Sequence, residues 1–141
     1  HQYALLAGVV SSIDYLANLD DAATGTRRER LDLSIGSLQD YHDRLFDYLM
    51  RSLEKLDHVM VLGDAPSRIP TLSFTVADTS AEKVSEHLAQ NRIGTVSGVH
   101  SGSRLLDALG VNDEGGAVTI GLAPYTTRYE IDQLVKALGK L

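Results

Sequence analysis

Apolar positions recur at helical spacing from the start of the chain. Leu6, Val9, Val10, Ile13 and Leu16 predict an amphipathic helix from Tyr3 to about Leu19. Asp20 to Arg28 is polar, contains Gly25 and reads as a loop. A longer helix is predicted from about Leu33 to Leu56, on a stripe of Ile35, Leu38, Leu45, Leu49 and Leu56 broadened by Tyr41, Phe46, Tyr48 and Leu53. The period then changes. His58 to Leu62 is a β-branched run closed by Gly63, Asp64 and Pro66. In Thr71 to Val76 the apolar Leu72, Phe74 and Val76 alternate with Thr71, Ser73 and Thr75, the period of two of a half-buried strand.

Thr79 and Glu82 have the spacing of a capping box ahead of a helix that turns Ala81, Val84 and Leu88 inward and ends near Asn91. Further strands are predicted at Ile93–Val99 and Ala117–Leu122, with a short helix near Leu105–Leu109 between them. A second capping box, Thr127 and Glu130, opens a last helix on Ile131, Leu134, Val135 and Leu138. Lys136 and Lys140 lie at its C-terminal end, where cations suit the helix dipole. Two helices followed by short strands interleaved with helices predict an α+β fold: a small, mostly antiparallel sheet covered on one face by helices, preceded by linking helices.

Composition narrows the chemistry. The 141 residues suit one domain, and 43% hydrophobic with 23% charged is ordinary for a globular chain. With no cysteine, disulfides, thiolate metal sites and cysteine nucleophiles are excluded, and a reducing, cytoplasmic setting fits. A net charge of -6 argues against nucleic acid as partner, and the cluster Arg27, Arg28 and Arg30 reads as a solvated turn between helices. No apolar run approaches the roughly 18–20 residues needed to cross a bilayer, so no membrane partner is expected. The chain starts with His1, and helical periodicity begins at once; this reads as a cut edge.

A self-contained active site does not emerge. His100 and Ser101 are adjacent, so they cannot face each other as base and nucleophile without an unusual turn. The histidines at 1, 42, 58, 87 and 100 lack the short spacing of a zinc motif. Gly98 to Arg104, GVHSGSR, has neither the spacing nor the lysine of a phosphate loop, and reads as a flexible strand-to-helix connection.

The last third, GAVTIGLAPYTTRYEIDQLVKAL, resembles the closing segment of class V aminotransferases and cysteine desulfurases, matching its Tyr125, Thr127, Glu130, Ile131 and Asp132 in order. Thr126 stands where the family usually has Asn. LLAGVVSSIDYL (Leu5 to Leu16), RRERL (Arg27 to Leu31) and RIPTLSFTV (Arg68 to Val76) resemble further family segments, so the likeness covers nearly the whole chain. The resemblance implies a C-terminal fragment of a pyridoxal-phosphate enzyme that forms a substrate-site wall and is not catalytic alone. Residues 1–30 would be the linking helix and loop from the end of the large domain, and 31–141 the small domain. The partners implied are the missing N-terminal large domain and a second copy of the parent, a homodimer.

The family holds its cofactor on a lysine. Lys55, Lys83, Lys136 and Lys140 all fall in predicted helices and outside that context, so no cofactor is expected on this chain and pyridoxal phosphate is expected in the full-length parent. The family's substrate-carboxylate arginine falls at Thr119, which cannot form a bidentate, charge-assisted pair. The desulfurase cysteine falls near Ser101, so desulfurase activity is not expected, and aminotransferase, lyase or epimerase chemistry stays open. The substrate-binding residues implied by the resemblance are Thr119, Ser101, His100 and Arg68, with Arg68 or Arg104 able to bring a charge to the space Thr119 leaves. The rival reading is a stand-alone α+β module that binds a small ligand or dimerises.

Overall fold

In the computed structural model, the described residues form five α-helices and four strands in the order α1 (Tyr3–Ala17), α2 (Arg27–Leu53), β1 (Val59–Leu62), β2 (Thr71–Val76), α3 (Ala81–Gln90), β3 (Val96–Gly98), α4 (Ser103–Ala108), β4 (Ala117–Gly121) and α5 (Arg128–Leu138). The structure describes every residue except His1, Ser67, His100, Ser101, Asp113 and Glu114. Two compact units divide the chain, His1–Arg44 and Leu45–Leu141.

In the first unit the turn after α1 is fastened by side chains. Ser34, 1% exposed, donates its hydroxyl to the Ala17 carbonyl at 3.2 Å and accepts the Asp20 N–H at 3.2 Å. Asp14 and Arg27 form an ion pair at 2.8 Å. Helix α2 starts about six residues before the apolar stripe predicts. Thr26 and Glu29 cap it: the Glu29 carboxylate accepts the Thr26 N–H at 2.8 Å, and the Thr26 hydroxyl accepts the Glu29 N–H at 3.3 Å. Arg27, Arg28 and Arg30 therefore lie in the first turn of α2 and not in an interhelical turn, a correction to the reading from composition. Ile35, expected in the apolar stripe, is 43% exposed.

In the second unit the sheet has the order β1-β2-β4-β3, with every neighbouring pair antiparallel. Strand β2 runs over the residues its alternation predicts, and Leu72, Phe74 and Val76 are buried at 4%, 0% and 1% exposure. Phe74 pairs with Val118 and Leu72 with Ile120, so the apolar residues of both strands lie on one face. Ala81, Val84 and Leu88 of α3 and Ile131, Leu134 and Leu138 of α5 complete this core with Leu45, Leu49 and Leu53 of α2. Emptying its centre by Phe74→Ala costs about 3–5 kcal/mol.

Helix α5 is capped at both ends. Thr127 and Glu130 form the expected capping box. At the other end the His87 and His58 Nε2–H groups donate to consecutive carbonyls, Ala137 and Leu138, each at 3.0 Å. These bonds tie α3 and the approach to β1 to the last turn of α5, whose Ala137 and Leu138 carbonyls also accept the Lys140 and Leu141 N–H groups at 3.1 Å. The Thr79–Glu82 box does not form. Thr79 is held in a turn by its N–H to the Val76 carbonyl at 3.2 Å, after Asp78 at φ 57, and Ser80 becomes the N-cap without a side-chain bond.

Away from the main core, α4 places Leu106 against Ala117 and Val111, with Leu62 and Val99 beside them. Gly116, at φ 88, opens β4, and a Cβ there would run into the Gly98 carbonyl of the neighbouring strand. Only glycine allows both that backbone conformation and that approach.

Candidate functional site

The sheet face opposite the main core carries the polar half of the β2 alternation. The pairing sets Ser73 opposite Thr119, and their hydroxyl oxygens are 2.8 Å apart and half-buried. Leu62 pairs with Ser73 from β1, while Ala117 and Thr119 follow each other on β4 with a period of two. Above this patch is a hollow of 440 Å³, walled by Leu62, Val99, Leu105, Leu106 and Leu109 and floored by Ser73, Ala117 and Thr119. Gly63, Gly98 and Gly102 also line it, and no charged side chain does so among the described residues.

The expected site residues distribute unevenly around this hollow. Thr119 lies in its floor, on the face away from α3 and α5, with its hydroxyl 2.8 Å from that of Ser73. His100 and Ser101 lie outside the described residues; their neighbours Val99 and Gly102 line the same hollow. Arg104 is exposed on α4 and is not part of the lining.

Arg68 lies on the β1–β2 connection and lines an adjoining hollow of 280 Å³. Its Nε donates to the Ala65 carbonyl at 3.2 Å and its Nη2 to the Gly63 carbonyl at 3.4 Å. The guanidinium stands 5.7 Å over the Phe46 ring. The two hollows share Leu62, Gly63 and Ser73. Ser73 is the residue that the sequence reading missed. Its alternation with Leu72 and Phe74 put it on the polar face, but its pairing with Thr119, 46 positions away, needs the strand register.

A larger hollow of 590 Å³ lies between the end of β4, the loop after α3 and the start of α5, lined in part by Leu49, Arg92, Ile93, Leu122 and Tyr129. Its acid, Glu130, is committed to the α5 cap, so volume alone does not make it the chemical site. Among the described residues no group of histidines and acids is arranged to hold a metal. No helix among them is long and apolar enough to cross a membrane. All four lysines are exposed: Lys83 and Lys136 on α3 and α5, Lys55 and Lys140 just beyond the ends of α2 and α5. None is buried, so none has the desolvated setting that a Schiff-base lysine needs, and these residues do not fit a cofactor anchor.

Comparison with known proteins agrees with this layout. An uncharacterized protein of Mycobacterium tuberculosis, MT3887, is 54% identical over all 141 residues, which span 35% of that protein. A probable cysteine desulfurase of Xylella fastidiosa is 28% identical over 77% of this chain and 26% of its own length. The aminotransferase-like protein FGM3 of Gibberella zeae is 33% identical over 71% of the chain and 25% of its own length. The chain thus spans about a quarter to a third of these relatives. Among solved structures, the cysteine desulfurase CsdA of Escherichia coli superposes with a TM-score of 0.65 at 24% identity, over 84% of this chain and 31% of CsdA. A NifS-like protein of Rickettsia africae gives 0.58 at 19% identity, over 83% of the chain and 35% of its own length. At these identities the two structures show a shared fold. The class V aminotransferase family model matches residues 29–134, three quarters of the chain, and the chain belongs to that family of pyridoxal-phosphate enzymes.

Proposed function

We propose that this chain is the C-terminal part of a pyridoxal-phosphate-dependent transferase or lyase, and that the Ser73–Thr119 face is one wall of its substrate site. Residues 1–30 are the linking helix and loop, and 31–141 the small domain. The missing large domain is the partner that holds the cofactor, and the parent is a cytoplasmic homodimer. The observation that carries this reading is the family match over three quarters of a chain that spans 26% of the Xylella fastidiosa relative and 31% of CsdA. A stand-alone ligand-binding or dimerisation module accounts for neither.

The exposed lysines support a division of labour in which the bound cofactor supplies the electron sink from the missing domain and this chain shapes and closes the site. Within it, Thr119 and Ser73 offer neutral hydrogen-bonding groups, worth about 0.5–1.5 kcal/mol each, where an arginine would offer about 1.5–3 kcal/mol. Simple amino acids should therefore bind poorly at this position. His100 and Ser101 are proposed as further substrate-binding residues on the family resemblance alone.

The test is a titration with pyridoxal phosphate, read by visible absorbance. The complete protein should develop a saturable band with one cofactor per chain, and the 141-residue chain should not. A stoichiometric band from the 141 residues alone would overturn the division of labour.

A further inference from the structure

We propose that Arg68 is the anion-binding residue of this site, and that the site takes a carboxylic acid with an apolar body, its carboxylate held at the β1–β2 loop and not at Thr119. The proposal rests on reading the Ser73–Thr119 face as a substrate wall.

Arg68 is the only cation lining either of the two adjoining hollows among the described residues. Its side chain is 21% exposed, so its charge is neither lost in solvent nor fully buried. What it touches is mostly neutral: the carbonyls of Gly63 and Ala65 and the face of Phe46. Those contacts use two of the five N–H groups of a guanidinium and fix its plane without cancelling its charge. The nearest acid is Asp64, 3.9 Å away and fully exposed, which makes a weak, solvent-screened pair. A partly desolvated guanidinium held by its own loop is thus ready to accept a planar anion in a bidentate pair.

The surroundings select the rest of the ligand. One guanidinium beside one carboxylate matches a monoanion better than a doubly charged phosphate, which would face Asp64 with a single countercharge. Because the hollows share Leu62, Gly63 and Ser73, a molecule anchored at Arg68 extends past Ser73 into the larger, uncharged one. There Leu105 and Leu109 meet an apolar body, and the Ser73–Thr119 pair can bond a neutral polar group.

The test uses the complete protein and a pair of probes of one shape, hexanoate and hexanamide, with binding measured by calorimetry at low salt. The wild type should bind the acid about tenfold more tightly than the amide. Arg68→Met, which keeps an apolar stem against Phe46, should bring that ratio to about one, and Arg68→Lys should retain part of it. Asp64→Asn should raise the ratio, and this arm carries the test if Arg68→Met fails to fold. A ratio that stays near ten in Arg68→Met, is absent in the wild type, or does not rise in Asp64→Asn would overturn the proposal. Cofactor absorbance in the same samples separates the two readings. Cofactor-loaded protein without an Arg68-dependent preference sinks this inference alone; an Arg68-dependent preference in protein that binds no cofactor sinks the proposed function alone.

Discussion

Ser73 and Thr119 meet hydroxyl to hydroxyl, 2.8 Å apart, across the pairing of β2 with β4 on the sheet face opposite the main core. One hydroxyl donates and the other accepts, so the bond contributes to the sheet. A double-mutant cycle with Ser73→Ala and Thr119→Val should give a coupling of about 0.5–1.5 kcal/mol in urea unfolding. Additive effects would mean that the two hydroxyls bond other groups in solution.

Three segments share the spacing of Thr with Glu three residues on, and only two form caps. Thr127→Ala should cost about 1 kcal/mol through loss of the α5 box. Thr79→Ala should leave the start of α3 unchanged, because its side chain makes no cap bond there. Thermal unfolding of the two variants side by side checks the contrast; equal losses would contradict it.

The same three segments show what local sequence carries and what it does not. Thr127 and Glu130 are legible because nothing competes with them. Thr79 has the same spacing, yet the turn through Asp78 and the Val76 carbonyl captures it first. Thr26 lies inside the polar stretch that reads as loop and Glu29 just after it, since the first turn of α2 has no apolar stripe to mark it. Within the site, Thr119 is singled out by the family resemblance and not by its own alternation with Ala117 and Gly121. Its partner Ser73 and the adjoining Arg68 depend on register and loop path, which are long-range properties that periodicity does not encode.

The turn between α1 and α2 should be sensitive to acid. The Ser37 hydroxyl and the Ala22 N–H hold the Asp20 carboxyl below its ordinary value of 3.8, and the Thr26 N–H and hydroxyl hold Glu29 below 4.5. Carboxyls lowered on folding add stability that is complete above their unfolded values and is lost as the pH falls through the lowered ones. Amide exchange at the start of α2 should therefore be steady, after correction for intrinsic rates, from neutral pH to about 5, and accelerate below about 4. Ser37→Ala and Thr26→Val should weaken that acid response; an unchanged response in both would rule out these carboxyls as its cause.

Helix α1 leaves Leu5, Leu6, Val9 and Val10 46–65% exposed. An apolar patch of this kind drives association. Sedimentation of the 141-residue chain should show concentration-dependent self-association that Val9→Asp reduces. A strictly monomeric chain at all concentrations would contradict this.

Reductive trapping of pyridoxal phosphate on the complete protein, followed by peptide mapping, tests the central claim most directly. With borohydride, one lysine should be labelled stoichiometrically, and it should lie outside residues 1–141. Label on Lys55, Lys83, Lys136 or Lys140, or no trapped lysine at all, would contradict the account of this chain as the wall of a site whose cofactor is anchored elsewhere.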